Sequence, residues 1–179
     1  MAAVATTTLA AIIDRNAREQ PDALAVIFDS GRDSGRATHR EHRDRVFQLA
    51  NALIEWGLKR GDRFAVYSQN SGAYHELYGV AEATSLTLVT INWRLAPAEI
   101  LAVLQDCTPA LIAFESQFAT VVDSLRHALD AATRFVCVGA APVWAEPYDA
   151  VIARGASNEP VVPMLRPAPD DIAYLIYTS

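Results

Sequence analysis

Cysteine is scarce in this chain: Cys107 and Cys137 are the only two among 179 residues. They stand far apart, one closing a helical pattern and the other inside Val136-Cys137-Val138. That spacing excludes a disulfide scaffold and a cysteine-based metal site, and both are expected as reduced core thiols. Basic charge is also short, with 15 Lys and Arg against 21 Asp and Glu and a net charge of −6. Nucleic-acid binding needs a clustered excess of cations, so this balance argues against it. A long apolar run is missing too, and residues 1–8 carry no basic segment, so neither secretion nor membrane insertion is indicated and the cytoplasm is the default expectation. Three catalytic signatures are absent. No complete G-x-x-x-x-G-K-[ST] loop occurs, Gly139-Ala140-Ala141-Pro142 lacks the spacing of a dinucleotide fingerprint, and no Gly-x-Ser-x-Gly elbow appears.

What is present is an ordinary globular composition, 51% hydrophobic and 20% charged, which rules out a disordered chain. Helical and strand patterns alternate along it. Leu9, Ile12, Ile13 and Ala17 recur at helical spacing before Pro21, and residues 23–28 read as a strand followed by a polar turn at 29–35. Val46, Leu49, Ala50 and Leu53 mark a second helix that Gly57 can stop. Residues 64–67 are the next strand. Asn70 or Ser71 can cap a helix whose apolar face is Tyr74, Leu77, Tyr78 and Ala81. A strand at 86–91 precedes a helix with Pro97 in its first turn, Ala96 as a weak cap, and Ile100, Val103, Leu104 and Cys107 as its buried stripe. Residues 111–114, a helix through Phe118, Val121, Val122, Leu125 and Leu129, and residues 135–138 add two more units. Strands separated by helices predict right-handed crossovers, hence an α/β fold with a mostly parallel sheet flanked by helices. Residues 1–139 therefore read as alternating α/β units. Residues 140–170 hold Pro142, Pro147, Pro160, Pro163, Pro167 and Pro169, and read as an irregular connection.

The final stretch, Asp171-Ile172-Ala173-Tyr174-Leu175-Ile176-Tyr177-Thr178-Ser179, reads as a strand apolar on both faces, as in the centre of a covered sheet, running into two hydroxyl residues. In open α/β folds, ligands sit at the loop that leaves the carboxyl end of a strand. Ser and Thr are also common turn residues.

This ending resembles the adenylate-forming (AMP-binding) enzymes, in which a strand ending Tyr-Thr-Ser leads into a glycine-rich loop with a lysine. Three earlier blocks resemble the same family in the same order: Gly57-Leu58-Lys59-Arg60-Gly61-Asp62-Arg63-Phe64-Ala65-Val66, Asn70-Ser71-Gly72-Ala73-Tyr74-His75-Glu76-Leu77-Tyr78, and Ile91-Asn92-Trp93-Arg94-Leu95-Ala96-Pro97-Ala98-Glu99-Ile100. The Asn-Trp-Arg-Leu form is typical of fatty-acyl and related CoA ligases. Two places depart from the pattern, Ala37-Thr38-His39-Arg40-Glu41-His42 and the glycine-free 83–90 segment, and both bear on local packing. The resemblance implies the N-terminal part of the large domain of an acyl-CoA ligase. Such an enzyme would join a carboxylic acid to ATP as an acyl-adenylate, with Mg²⁺, and then pass the acyl group to CoA. It implies that Thr178 and Ser179 begin the loop that holds the ATP phosphates. It also implies that Arg94 can lie near the CoA phosphates, the alternative being a structural arginine on helix-end carbonyls. The rest of the ligase chain is expected to cover the last strand, no catalytic residue falls within 1–179, and these residues alone are expected to be inactive. A carrier-protein thiol in place of CoA, and a non-catalytic α/β binding module or gene remnant, remain as alternatives. His39 and His42, among Arg40, Glu41, Arg43, Asp44 and Arg45, read as a solvated helix start, with no metal site expected there. His75 and Glu76 read as exposed helical positions.

Overall fold

A Thr hydroxyl starts the first helix. Thr8 Oγ1 accepts the Ala11 N–H at 3.1 Å and caps α1 (Leu9–Glu19), whose Ala10, Ile13 and Ala17 are buried. The computed structural model describes residues 8–29, 34–160, 167–168 and 170–178. An antiparallel hairpin follows, β1 (Leu24–Asp29) with β2 (Ser34–Thr38). Thr38 closes β2 and opens α2 (His39–Glu55) through a capping box: its Oγ1 accepts Glu41 N–H at 3.3 Å, and Glu41 Oε2 accepts Thr38 N–H at 2.8 Å. Gly57, at φ +88°, ends α2 in the left-handed region as the sequence pattern requires.

Five parallel pairings then build one six-stranded sheet: β3 (Arg63–Tyr67), β4 (Thr87–Ile91), β5 (Leu111–Glu115), β6 (Arg134–Val138), β7 (Glu146–Pro147) and β8 (Tyr174–Ile176). Their spatial order is β7-β6-β5-β3-β4-β8. The chain steps outward from β3 to β4, returns across the sheet to β5, β6 and β7, and comes back to lie outside β4. The direction therefore reverses between β3 and β5, which is the switch point of a doubly wound sheet.

Helices cover both faces. α3 (Gly72–Ala83) joins α2 and α6 (Tyr148–Ile152) on one side, over a core containing Leu49, Leu53, Phe64, Leu77, Leu86 and Leu88. α4 (Pro97–Cys107) and α5 (Ala119–Arg126), the latter entered by a single 3₁₀ turn at Ser116–Phe118, cover the other side over Ile100, Leu104, Ile112 and Phe114. Central strands β3, β4 and β5 are apolar on both faces because both are covered.

Three details differ from the sequence reading. The last strand is shorter than 172–177 and lies at the sheet edge, with Ile172 and Ile176 65% and 64% exposed. Its two-faced apolar pattern is the signature of a central strand, but among the described residues only β4 pairs with it. The proline-rich stretch is not wholly irregular, since β7 and α6 lie within it; residues 161–166 and 169 are outside the described residues. Ser71, not Asn70, caps α3, accepting Tyr74 N–H at 3.2 Å.

Candidate functional site

The carboxyl ends of β3, β4 and β8 open into a cleft of about 670 Å³. β3 delivers Ser68, β4 delivers Thr90, Ile91 and Asn92, and β8 delivers Ile176, Tyr177 and Thr178 to its walls. Two phenols fix the exit of β8. Tyr174 Oη donates to Glu82 Oε1 at 2.8 Å on the α3 side, and Tyr177 Oη donates to Asp106 on the α4 side. Each phenol gives up its proton less readily than usual, because of burial and the carboxylate it bonds. The Tyr174 ring also continues a row with Tyr78 and Tyr74, at centroid distances of 5.1 and 5.4 Å. Thr178 is thus presented at the mouth of the cleft by a strand anchored on both faces. Ser179 lies outside the described residues.

The second candidate, Arg94, sits one residue beyond the cleft wall formed by Asn92 and Trp93. Asn92 builds the turn: its Oδ1 accepts Arg94 N–H at 3.0 Å and its carbonyl accepts Leu95 N–H at 3.1 Å. The Arg94 guanidinium stacks on the Trp93 ring, 4.1 Å from the centroid, and is exposed. It faces outward beside the cleft. Downstream, Ala96 has no side-chain acceptor, and Glu99 Oε2 instead accepts its N–H at 2.7 Å to start α4.

Ser68, Asn70, Thr90, Asn92 and Thr178 bring hydroxyl and amide groups to the polar lining, which also holds the Tyr74 and Tyr177 phenols and the Glu99 carboxylate that accepts from Ala96 N–H. The hydroxyls and amides suit phosphate oxygens, which accept several hydrogen bonds at once. Pattern reading had singled out only Thr178 here; the others come together because the parallel topology gathers strand exits from distant parts of the sequence. Nearby at the switch point, the Ser68 hydroxyl lies 2.8 Å from Glu115 Oε1 and 2.6 Å from the Gln69 carbonyl.

The histidine readings change. His42 is buried, not solvated, and its ring stacks on His75 at 4.7 Å with planes 3° apart. Its Nε2 has no hydrogen-bond partner among the described residues. Burial, then the neighbouring His75, His39 and Arg45, lowers its pKa to about 4. Glu76 is also buried: Arg45 grips it through Nε at 2.5 Å and Nη2 at 3.3 Å, and Tyr148 Oη donates to it at 2.9 Å. His75 is exposed as expected. Among the described residues no cluster of His, Cys, Asp or Glu is suited to hold a metal ion. Cys107 and Cys137 are free, buried thiols, each pushed by burial up to about 11.

Residues 13–179 match the AMP-binding enzyme family. The chain belongs to that family. A feruloyl-CoA synthase of Amycolatopsis sp is 32% identical over 166 residues, which are 92% of this chain and 29% of that protein. A fatty acid–[acyl-carrier-protein] ligase, ScoC, of Streptomyces coeruleorubidus is 33% identical over 119 residues, 66% of this chain and 22% of that one. Among solved structures, an anthranilate CoA ligase in complex with anthranoyl-AMP superposes with a TM-score of 0.84 at 21% identity, over 96% of this chain and 32% of the other. The Mycobacterium tuberculosis fatty acyl CoA synthetase gives 0.80 at 23%, over 97% and 33%. These superpositions show the shared fold. The chain spans between 22% and 31% of the length of the first curated relatives it matches. No helix among the described residues is long and apolar enough to cross a membrane.

Proposed function

We propose that this chain is the front part of an ATP-dependent acyl-CoA ligase. In the proposed reaction a carboxylate attacks the α-phosphate of ATP, giving an acyl-adenylate and pyrophosphate. The thiol of CoA then displaces AMP and forms the thioester. The observation that supports this reading is the placement of Thr178, the first aliphatic hydroxyl after β8, in a cleft at the strand ends whose polar lining is mostly hydroxyl and amide groups. There Thr178, with Ser179 next in the chain, would donate hydrogen bonds to the outer phosphates, and Mg²⁺ would share their charge. Barrier lowering in such a reaction comes mainly from donors fixed around developing phosphate charge. Arg94, exposed at the rim and steadied on Trp93, is suited to grip the phosphates of CoA.

The relatives' lengths imply that most of the machinery lies in the other part of the polypeptide, which would also cover β8. Pyrophosphate exchange with ATP and a panel of carboxylic acids tests this. The purified 179 residues should show none above background, and exchange by this chain alone would refute that expectation. In a complete enzyme carrying this front part, Thr178→Ala should lower the exchange rate by on the order of 10²–10³. Arg94→Ala should raise the KM for CoA roughly ten- to hundredfold, the loss of a charged hydrogen-bond partner. The similarity to ScoC favours one second reading, transfer to a carrier-protein thiol. A KM for CoA indifferent to Arg94, with rapid loading of a carrier protein, would select it.

A further inference from the structure

The register of β8 with β4 ends at the pair Thr90 and Ile176, so Thr178 stands two residues beyond the last main-chain pair. Side chains hold what the ladder leaves free. They alternate along the strand, Tyr174 joining the core on the α3 side while Leu175 and Tyr177 join the core on the α4 side. The two phenols therefore reach carboxylates of different helices, Glu82 of α3 and Asp106 of α4. Tyr174 lies within the ladder, opposite Leu88, with its ring on Tyr78, and Glu82 Oε2 also accepts Leu9 N–H at 3.1 Å. Its phenol repeats a constraint that the main chain already supplies. Tyr177 lies past the ladder beside Thr178, and both line the cleft. Asp106, its acceptor, is exposed in the last turn of α4, where a carboxylate opposes the negative end of the helix dipole. That turn holds no basic residue to offset it. A charge set against its own helix, and bonded to the residue before Thr178, serves the cleft and not the helix.

We propose that Asp106 and Tyr177 are positioning residues: the Tyr177 phenol, bonded to Asp106, fixes how far Thr178 reaches into the cleft, and the pair governs the adenylating half of the reaction but not transfer of the acyl group to the thiol. The inference rests on the phosphate-binding reading of Thr178 given above. Once pyrophosphate has left, Thr178 has no outer phosphate to hold, so only the first half-reaction feels its placement. A displacement of about 1 Å in such a group can cost on the order of 10² in rate. The bond is solvent-exposed and shares its task with the ladder, so its loss should cost about tenfold.

A complete enzyme carrying this front part tests the inference through its two half-reactions, pyrophosphate exchange and thioester formation from added acyl-adenylate with CoA or a carrier-protein thiol. Tyr177→Phe and Asp106→Ala should each slow exchange about tenfold, and the double variant no further, while thioester formation stays within about twofold of the parent. Asp106→Asn keeps an acceptor for the phenol and should recover most of what Asp106→Ala loses. Tyr174→Phe should slow exchange less than Tyr177→Phe, though it lowers the urea midpoint more, because its bond is the more buried. A structural role would rank the two the other way. Equal losses in both half-reactions, or no rescue by Asp106→Asn, overturn the inference. So does exchange indifferent to Tyr177→Phe and Asp106→Ala while Thr178→Ala slows it, and that result leaves the ligase reading standing. Exchange indifferent to Thr178→Ala itself counts against the phosphate role of Thr178 and takes the inference with it.

Discussion

Neutral imidazole is the only form of His42 that its surroundings favour, since burial, the stacked His75 and the nearby His39 and Arg45 all oppose a second proton. Its place in the first turn of α2, at the positive end of the helix dipole, acts in the same direction. The linkage sign follows. With a folded pKa of about 4 against an ordinary 6.5, the unfolded chain binds the extra proton first as pH falls. Stability should therefore decline from about pH 6.5 to pH 4, by on the order of 3 kcal/mol at the acid end. Urea midpoints across that range should show it, and His42→Phe, which keeps a stackable ring, should flatten the slope; an unchanged slope would contradict the assignment. Glu76 is governed by pairing. Glu76→Ala removes the acceptor that Arg45 and Tyr148 share and should cost about 2 kcal/mol, since Arg45 is partly exposed and keeps Asp149, whereas Tyr148→Phe should cost about 1 kcal/mol. Chemical denaturation of both variants checks that ranking.

At the scale of elements, helix starts and contacts between helices decide the local outcome. Thr38→Ala removes one half of the capping box of α2 and should cost about 1 kcal/mol by the same assay. Gly155 is a harsher case. A Cβ there would fall 1.8 Å from the Gln48 carbonyl oxygen of α2, so the chain after α6 can lie against α2 only without a side chain. Gly155→Ala should displace that contact and lower the melting temperature by several degrees, a loss on the order of 2 kcal/mol. These elements were largely legible in the sequence. Thr38 with Glu41 is a spacing rule, and Gly57 is a stop that positive φ explains. What escaped was set by distant partners: nothing local to His42 announces His75 of α3, nothing local to Glu76 announces Arg45 of α2 and Tyr148 of α6, and nothing local to Gly155 announces α2. The cleft divides in the same way. Thr178 was readable because hydroxyls after an apolar strand form a local pattern, while Ser68, Thr90 and Asn92 join it only through the order of strands.

For the whole molecule the decisive asymmetry is between the two ends of the sheet. β7, at one end, is two residues long and ends in Pro147, which gives it little capacity for further pairing. β8, at the other, offers main-chain groups and exposed isoleucines. The 179 residues should therefore self-associate as concentration rises, and Ile176→Lys should shift light-scattering mass toward the monomer. A monodisperse wild-type monomer at high concentration would contradict this.

The position of β8 also sets an order of events. Leu88 pairs with Tyr174, so the cleft acquires its Thr178 wall only when the last described segment returns across the sheet to a strand completed far earlier in the chain. Contacts of such separation form late, after loop closure has been offset by the rest of the core. During synthesis, then, β3 and β4 can be in place while the cleft still lacks its Thr178 wall. The nascent protein would pass through a stage in which most of the sheet is folded but the cleft is open on the β8 side, and that wall would arrive in a single late docking step.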